Sequence, residues 1–420
     1  MINEFICNHY CKLEEYILKI KAEFSGLRYL LISIMSLLAF INSEMTEGGA
    51  QTKVLTTTTT SAASPTPASS FNENCVSYDP SSRTITIRCK SINLSDIDNQ
   101  LNDDSVLDKQ ANGVWLLKAG ITIDKGAVLN IDSNDVKWLK IIADGRTAYP
   151  INVSGSLKID SVKVTSWDPQ TNDYAMSNGT RVLVGNKYEV SAGEPRPYIT
   201  VGNSATGTTN ITNSEIAYLG YESGIGGGSS GLRYAGGDGS IIMNNNIHHL
   251  YFGFYSNGVG NIVIENNQVH DNGHYGLDPH TGTHDMIIRN NTVHDNGSIG
   301  IICSLDCYHI TIEKNIVYNN VNRGIMFSRN MYDSAARDNV ISIEPKAITI
   351  SESHNNEIYN NTISNSVSGI DLDKESLNNA IHDNTIIVNP QSSSKAISVE
   401  SGAEKNNLLY SNIIKNNIPP

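Results

Sequence analysis

The chain has 420 residues, of which 17% are charged and 39% hydrophobic, and its formal net charge is −13. That balance describes an acidic, water-compatible protein and excludes a general electrostatic attraction to nucleic acid. A polyanionic partner remains compatible with it, provided that local Lys or Arg groups meet the partner's charges.

Residues 1–45 read as a leader. The apolar run YLLISIMSLLAFIN, residues 29–42, follows Lys19, Lys21 and Arg28, and its length suits a secretion signal or a signal anchor. Residues 29–42 could therefore tether the protein to a membrane, and a secreted or cell-surface location is expected. Residues 46–72 hold the tract QTKVLTTTTTSAASPTPASS, whose Thr, Ser and Pro cannot build a core and read as a linker. Among the six cysteines, Cys75 and Cys89 flank a strand-like run and suit a disulfide. Cys303 and Cys307 are separated by a loop short enough to make a bridge geometrically restrictive. None has the partner set of a zinc site.

Residues 73–420 read as one β domain. The stretches ITIDKGAVLNID, VKWLKIIAD and GSLKIDSVKVTSW are strand-like with irregular spacing, as expected of N-terminal coils with larger loops. Residues 221–240 are Gly-rich and read as an insertion, either a flap over a groove or a tolerated loop. From about residue 210 the sequence repeats. An Asn with an aliphatic or β-branched neighbour recurs at Asn245, Asn267, Asn291, Asn315, Asn339, Asn361, Asn384 and Asn412. Strand-like pieces such as IVIEN, MIIRN and ITIEK precede it, and a patch such as YGLD, IGII or RGIM follows. Short strands at this period, without helical periodicity, predict an all-β parallel β-helix with coils of about 22–24 residues. Coils of this kind bury their inward side chains only by stacking. The repeated Asn, placed at one turn in the left-handed conformation, would stack its amide on the next.

The small residue of the second patch aligns the coils. One residue after it stand Phe254, Leu277, Ile301, Ile325, Ile348 and Ile370; three after it stand Ser256, Pro279, Cys303, Phe327, Ile350 and Leu372. These mostly apolar positions point inward. Strand alternation then turns Tyr255, Asp278, Ile302, Met326, Thr349 and Asp371 outward, with Asn257, His280, Ser304, Ser328, Ser351 and Asp373. Asp278 and His280 become neighbours, about 7 Å apart on one exposed strand face. Such a face suits an extended polysaccharide lying across several coils. The same parity points Tyr275 inward unless the strand bends at Gly276.

The segments ITNSEIAYLGY, NNNIHHLYFGFYS, YGLDPHTGTHDMIIRNN, GIICSLDC and RGIMFSRN resemble mannuronan C5-epimerases over roughly residues 195–375. The most specific element is Tyr-Gly-x-Asp-Pro-His, here Tyr275 to His280. The resemblance implies an isomerase acting on an anionic linear polysaccharide of the polymannuronate type, inverting C5 without cutting the chain. It implies His280 as base, Asp278 as the group that orients or polarises it or binds substrate, and Tyr275 as a proton donor, with water as rival. Bacterial periplasmic members carry Arg where this chain has Leu305, so the cation that neutralises the sugar carboxylate is sought one coil further, at Arg329, with Arg323 beside the next Gly. Tyr255, His249, His284, Ser304 and Arg323 are expected to line the groove. No metal or other cofactor is called for; calcium, with Asp371 and Asp373 considered, lacks the Asp/Gly nonapeptide spacing that would indicate it. A monomer is expected. Two other readings stay open: a polysaccharide lyase that expels the glycosidic oxygen after the same proton abstraction, and a non-catalytic surface β-helix that binds carbohydrate or mediates adhesion.

Overall fold

One asparagine per coil carries the architecture. In the computed structural model, which describes residues 75–184, 187–224, 229–373, 375–388, 395–403 and 406–416, the side chains of Asn245, Asn267, Asn291, Asn315, Asn339, Asn361, Asn384 and Asn412 form a continuous ladder. Asn291 is typical: its backbone N–H and Nδ2 both donate to Asn315 Oδ1, each at 3.0 Å, while Nδ2 also donates to Ile264 O at 2.9 Å. The amides thus satisfy backbone groups that the corner would otherwise bury unpaired. The left-handed residue is the one before each ladder Asn, as at Asn244 (φ 58°), Asn266 (φ 56°) and Asn290 (φ 55°). This corrects the expectation that the ladder Asn adopts that conformation itself.

Each regular coil lays one strand into each of three sheets. Phe252–Asn257 belongs to sheet 1, Val263–Glu265 to sheet 3 and Gln268–His270 to sheet 2, before Leu277–His280 returns to sheet 1. Sheets 1 and 2 each hold 13 strands among the described residues and sheet 3 holds 11. Pairing between successive coils is parallel throughout; the antiparallel pairs are Val76–Asp79 with Thr84–Ile87, Leu107–Lys109 with Val114–Leu117, and the hairpin Thr180–Val184 with Lys187–Ser191. Inside runs a single column of Ile, Leu, Val and Phe, including Phe254, Leu277, Ile301, Ile325, Phe327 and Ile350, all fully buried.

Helix α1, Leu94–Leu101, covers the N-terminal end with buried Leu94 and Ile97. Its sequence signal is the capping box Asn93/Asp96, which satisfies otherwise free N–H groups at the helix start. Cys75 and Cys89 form a disulfide beside it, and Cys303 and Cys307 are free and buried. Within the Gly-rich 221–240 segment, Gly231–Tyr234 is a strand of sheet 1, paired with Ile199–Val201 and, with a register shift between Gly231 and Arg233, with Phe252–Asn257. The 29–42 run and the 46–72 linker lie outside the described residues.

Candidate active site

The small residue of each coil explains how sheet 1 presents its outer face. A Cβ placed on Gly276 would lie 2.5 Å from Gly300 O and 2.9 Å from the core atom Val293 Cγ1. Gly276 therefore faces the interior, and so does the next residue, Leu277, which is fully buried in the core. Two consecutive inward positions shift the strand phase by one residue. Tyr275 consequently emerges on the outside, where it joins Tyr251, Phe252 and Tyr255 in an aromatic cluster separate from the core. The bend at Gly276 reverses the plain parity expectation for Tyr275.

Beyond this bend the strand Leu277–His280 pairs Tyr255 with Asp278 and Asn257 with His280, and His280 in turn faces Ser304. Two coils on, Arg329 sits in the left-handed region (φ 53°) at the turn that ends Arg323–Ser328. Its guanidinium folds back over the intervening coil. Nε and Nη2 donate to Ser304 Oγ at 2.9 and 2.6 Å, and Nη2 stands 3.0 Å from His280 Nε2. A guanidinium can only donate, so Nε2 accepts and the single imidazole proton resides on Nδ1. Nδ1 then donates to Thr281 Oγ1 at 2.5 Å. Burial first, and the Arg329 charge second, lower the His280 pKa to about 4, so the ring is neutral at physiological pH with its Nε2 lone pair accepting from Arg329.

Asp278 differs from expectation. It is 2% exposed, and its Oδ1 has no hydrogen-bond partner. The strand face is therefore closed at this position rather than open. Burial pushes the Asp278 pKa well up from the ordinary carboxylate value, with the Arg329 charge opposing. The acceptor for the Nδ1 proton of His280 is Thr281, a residue the sequence reading did not single out; its only signal was adjacency to the motif. Tyr255 stands directly beside the base, with ring centroids 5.6 Å apart, and burial raises its pKa.

Other expected residues divide. Ser304 is fully buried beneath Arg329, so in this arrangement it holds the guanidinium rather than facing a ligand. Arg323 is aligned with Ile299 and Lys346 at the start of the sheet 1 strands, and its Nε is buried without a hydrogen-bond partner. His284 belongs to a corner stack with Tyr308, Tyr332 and His354 and binds Asp285 through Nδ1. His249 sits at the corner before Phe252–Asn257, stacked on Tyr218 and within 2.8 Å of His248 Nδ1. Neither has a contact with His280. Asp371 and Asp373 both face Lys346 Nζ, at 3.2 and 3.6 Å, which places an ammonium where a calcium ion would need to be. Among the described residues no group of three or more His, Cys, Asp or Glu is placed to hold a metal.

The sequence reading also missed a network behind the aromatic cluster. Arg181 on the hairpin pairs with the buried Glu222 at 2.7 and 3.0 Å, and Tyr251 donates to the same carboxylate. His274 stacks against the Tyr251–Phe252 pair, and burial lowers its pKa to about 4.

The fold and site together define a right-handed parallel β-helix carrying a neutral imidazole and a guanidinium on one sheet face. The family model "Right handed beta helix region" matches residues 199–342, and "Periplasmic copper-binding protein (NosD)" matches residues 302–419. Among curated proteins, the mannuronan C5-epimerase of Pseudomonas aeruginosa is 28% identical over 189 residues, covering 43% of this chain and 32% of the relative. The mannuronan C5-epimerase AlgG of Azotobacter vinelandii is 28% identical over 177 residues, covering 40% of this chain and 30% of the relative. The matched stretch thus spans about a third of the length of these relatives. A solved structure, the periplasmic alginate epimerase AlgG, superposes with a TM-score of 0.62 at 21% identity over 79% of this chain and 85% of that one, a likeness of fold. Mannuronan C5-epimerases are therefore homologues of part of this chain, as the residues of the Tyr275–His280 motif suggested.

Proposed function

We propose that the protein is a mannuronan C5-epimerase that acts outside the cytoplasm on a polymannuronate-type chain. The observation that carries this reading is the neutral imidazole of His280 held between Thr281 and Arg329 on an outward sheet face. Removing the proton at C5 of a uronate, α to its carboxylate, loads a second negative charge onto that group. The reaction then needs a base that is unprotonated, a cation that follows the developing charge, and an acid on the opposite face of the ring.

His280 Nε2 serves as the base. Arg329, anchored on Ser304, turns its Nη2 from the imidazole to the substrate carboxylate when the polymer binds. Asp278, buried on the same strand and within electrostatic reach of Arg329, acts as a positioning group for that cation. A phenol returns the proton; Tyr255, whose ring stands 5.6 Å from that of His280, is the better placed candidate, and Tyr275, stacked on Phe252, is the second. Burial raises the Tyr255 pKa, which keeps its phenol protonated at neutral pH, as a donor must.

Proton NMR of polymannuronate incubated with the purified protein in deuterated water tests the proposal. Guluronate signals with deuterium at C5 and unchanged chain length are expected. Chain shortening with an unsaturated, ultraviolet-absorbing product would make the protein a lyase instead. Binding without either product would leave a carbohydrate-binding surface.

A further inference from the structure

Sheet 2 carries a second concentration of aromatic and basic side chains that the reaction does not use. Its strands Trp138–Ile142 and Lys163–Trp167 pair in register, Trp138 with Lys163 and Lys140 with Thr165. Leu139, Ile141 and Val164 point into the core, so Trp138, Lys140, Lys163 and Trp167 point out, each partly exposed. The two indoles meet edge to face, with centroids 5.4 Å apart. Lys140 Nζ lies between them, 4.2 Å from the Trp138 ring and 3.3 Å from the Trp167 ring. Tyr174 extends the platform, 6.1 Å from each indole, and stacks on Tyr218 at 4.3 Å.

The charges on this face are unequally matched. Lys163 pairs with Glu215 at 2.8 Å. Lys140 has no carboxylate within ion-pair distance among the described residues, and burial alone shifts its pKa, downward. The nearby acids are committed elsewhere: Asp168 accepts from Gln170 N and Thr171 Oγ1, and Asp173 accepts from Tyr174 N. In a chain of net charge −13, a cation left unpaired between two outward indoles is costly to desolvate unless an anion completes it. The core does not require these rings, because Trp115 alone of the three tryptophans is fully buried. Indole faces pack against the C–H faces of pyranose rings, and an ammonium meets a sugar carboxylate. Face and charge together select an acidic polysaccharide over a neutral one.

We propose that Trp138, Lys140 and Trp167 form a second binding face for an acidic polysaccharide, on sheet 2 and apart from the His280 site on sheet 1. Its choice of ligand rests on the uronan reading above; its position does not. Such a face would hold a long polymer through one stretch while another occupies the reacting site, raising retention with chain length.

Affinity electrophoresis of the full chain through gels containing polymannuronate, with tryptophan fluorescence titration in solution, tests this. Native protein should be retarded, and its emission should shift as polymer is added. Lys140→Gln should weaken the retardation about fivefold, and Lys140→Arg should restore it. Circular dichroism confirms that each variant is folded; if Lys140→Gln does not fold, the Lys140→Arg protein and the native emission shift decide. Emission that stays fixed at saturating polymer, Lys140→Gln retardation equal to native, or equal retardation by neutral dextran would each overturn the proposal. Parallel NMR on the native protein separates the two readings. Guluronate formation with fixed emission removes the second face alone, whereas Lys140-dependent retardation without guluronate removes the epimerase reading alone.

Discussion

Arg329 reaches back two coils to His280, with its Nη2 3.0 Å from the imidazole Nε2 and Ser304 Oγ beneath it as the anchor. This contact fixes the tautomer of the base and the place of the cation. Arg329→Met should lower turnover about a hundredfold, the scale lost when one preorganised charge donor is removed. It should also raise the His280 pKa from about 4, because the Arg329 charge is one of the two causes that depress it. An NMR titration of the His280 ring checks the second effect without reference to activity. An unmoved titration in the variant would refute the assignment.

The same imidazole gives a pH dependence of defined sign. Its folded pKa lies below the ordinary His value of 6.5, so between about 4 and 6.5 the unfolded chain binds more protons than the native one. The His280 contribution to stability is complete above pH 6.5 and is lost as pH falls toward 4. His274, also lowered to about 4 by burial, adds in the same direction. Urea unfolding at pH 7 and pH 5 should give a lower midpoint at pH 5, and His280→Gln should reduce the difference. The kcat/KM profile of the free enzyme should fall on the acid side near pH 4.

Two phenols compete for the returning proton. Tyr255→Phe should cost about 100-fold in turnover, within the range of a general acid, and Tyr275→Phe markedly less. Solvent-deuterium incorporation into residues that have not inverted would show abstraction continuing without opposite-face return. A larger loss at Tyr275 than at Tyr255 would reverse the assignment.

Glu344 replaces Asn in a second ladder, Asn272–Asn296–Asn320, accepting from Asn320 Nδ2 at 2.8 Å. Burial raises its pKa to about 8. The native state therefore binds the extra proton between the ordinary Glu range and pH 8, so stability declines as pH rises through that window. Glu344→Gln keeps the acceptor and removes the titration. It should flatten the decline and stabilise the protein at pH 8 by on the order of a few kcal/mol, seen as a Tm that no longer falls between pH 6 and pH 8.

The principal ladder can be broken at one rung. Asn315→Ala strands the Asn291 N–H, part of the Asn291 amide and the Ile288 carbonyl. Leaving buried polar groups unpaired costs about 1–3 kcal/mol each, so a loss of several kcal/mol in denaturant unfolding is expected.

Much of this molecule was legible in the chain because its repeat is short and its side-chain demands recur. The Asn spacing announced the coils, and apolar alternation after each small residue placed Phe254, Leu277, Ile301 and Ile325 in the core, where they lie. Position along a strand and position along the repeat are local properties, so one sequence determines them. What the chain offered only as an alternative was the phase slip at Gly276. It arises because a Cβ there would collide with Val293 and Gly300 from other parts of the coil stack, and it alone turns Tyr275 outward. The burial of Asp278 and the shielding of Ser304 likewise depend on which side chains from other coils crowd above the strand. Those are decisions of desolvation and contact between residues 20 or more apart in sequence, such as Ser304 and Arg329, and only the stacked structure makes them.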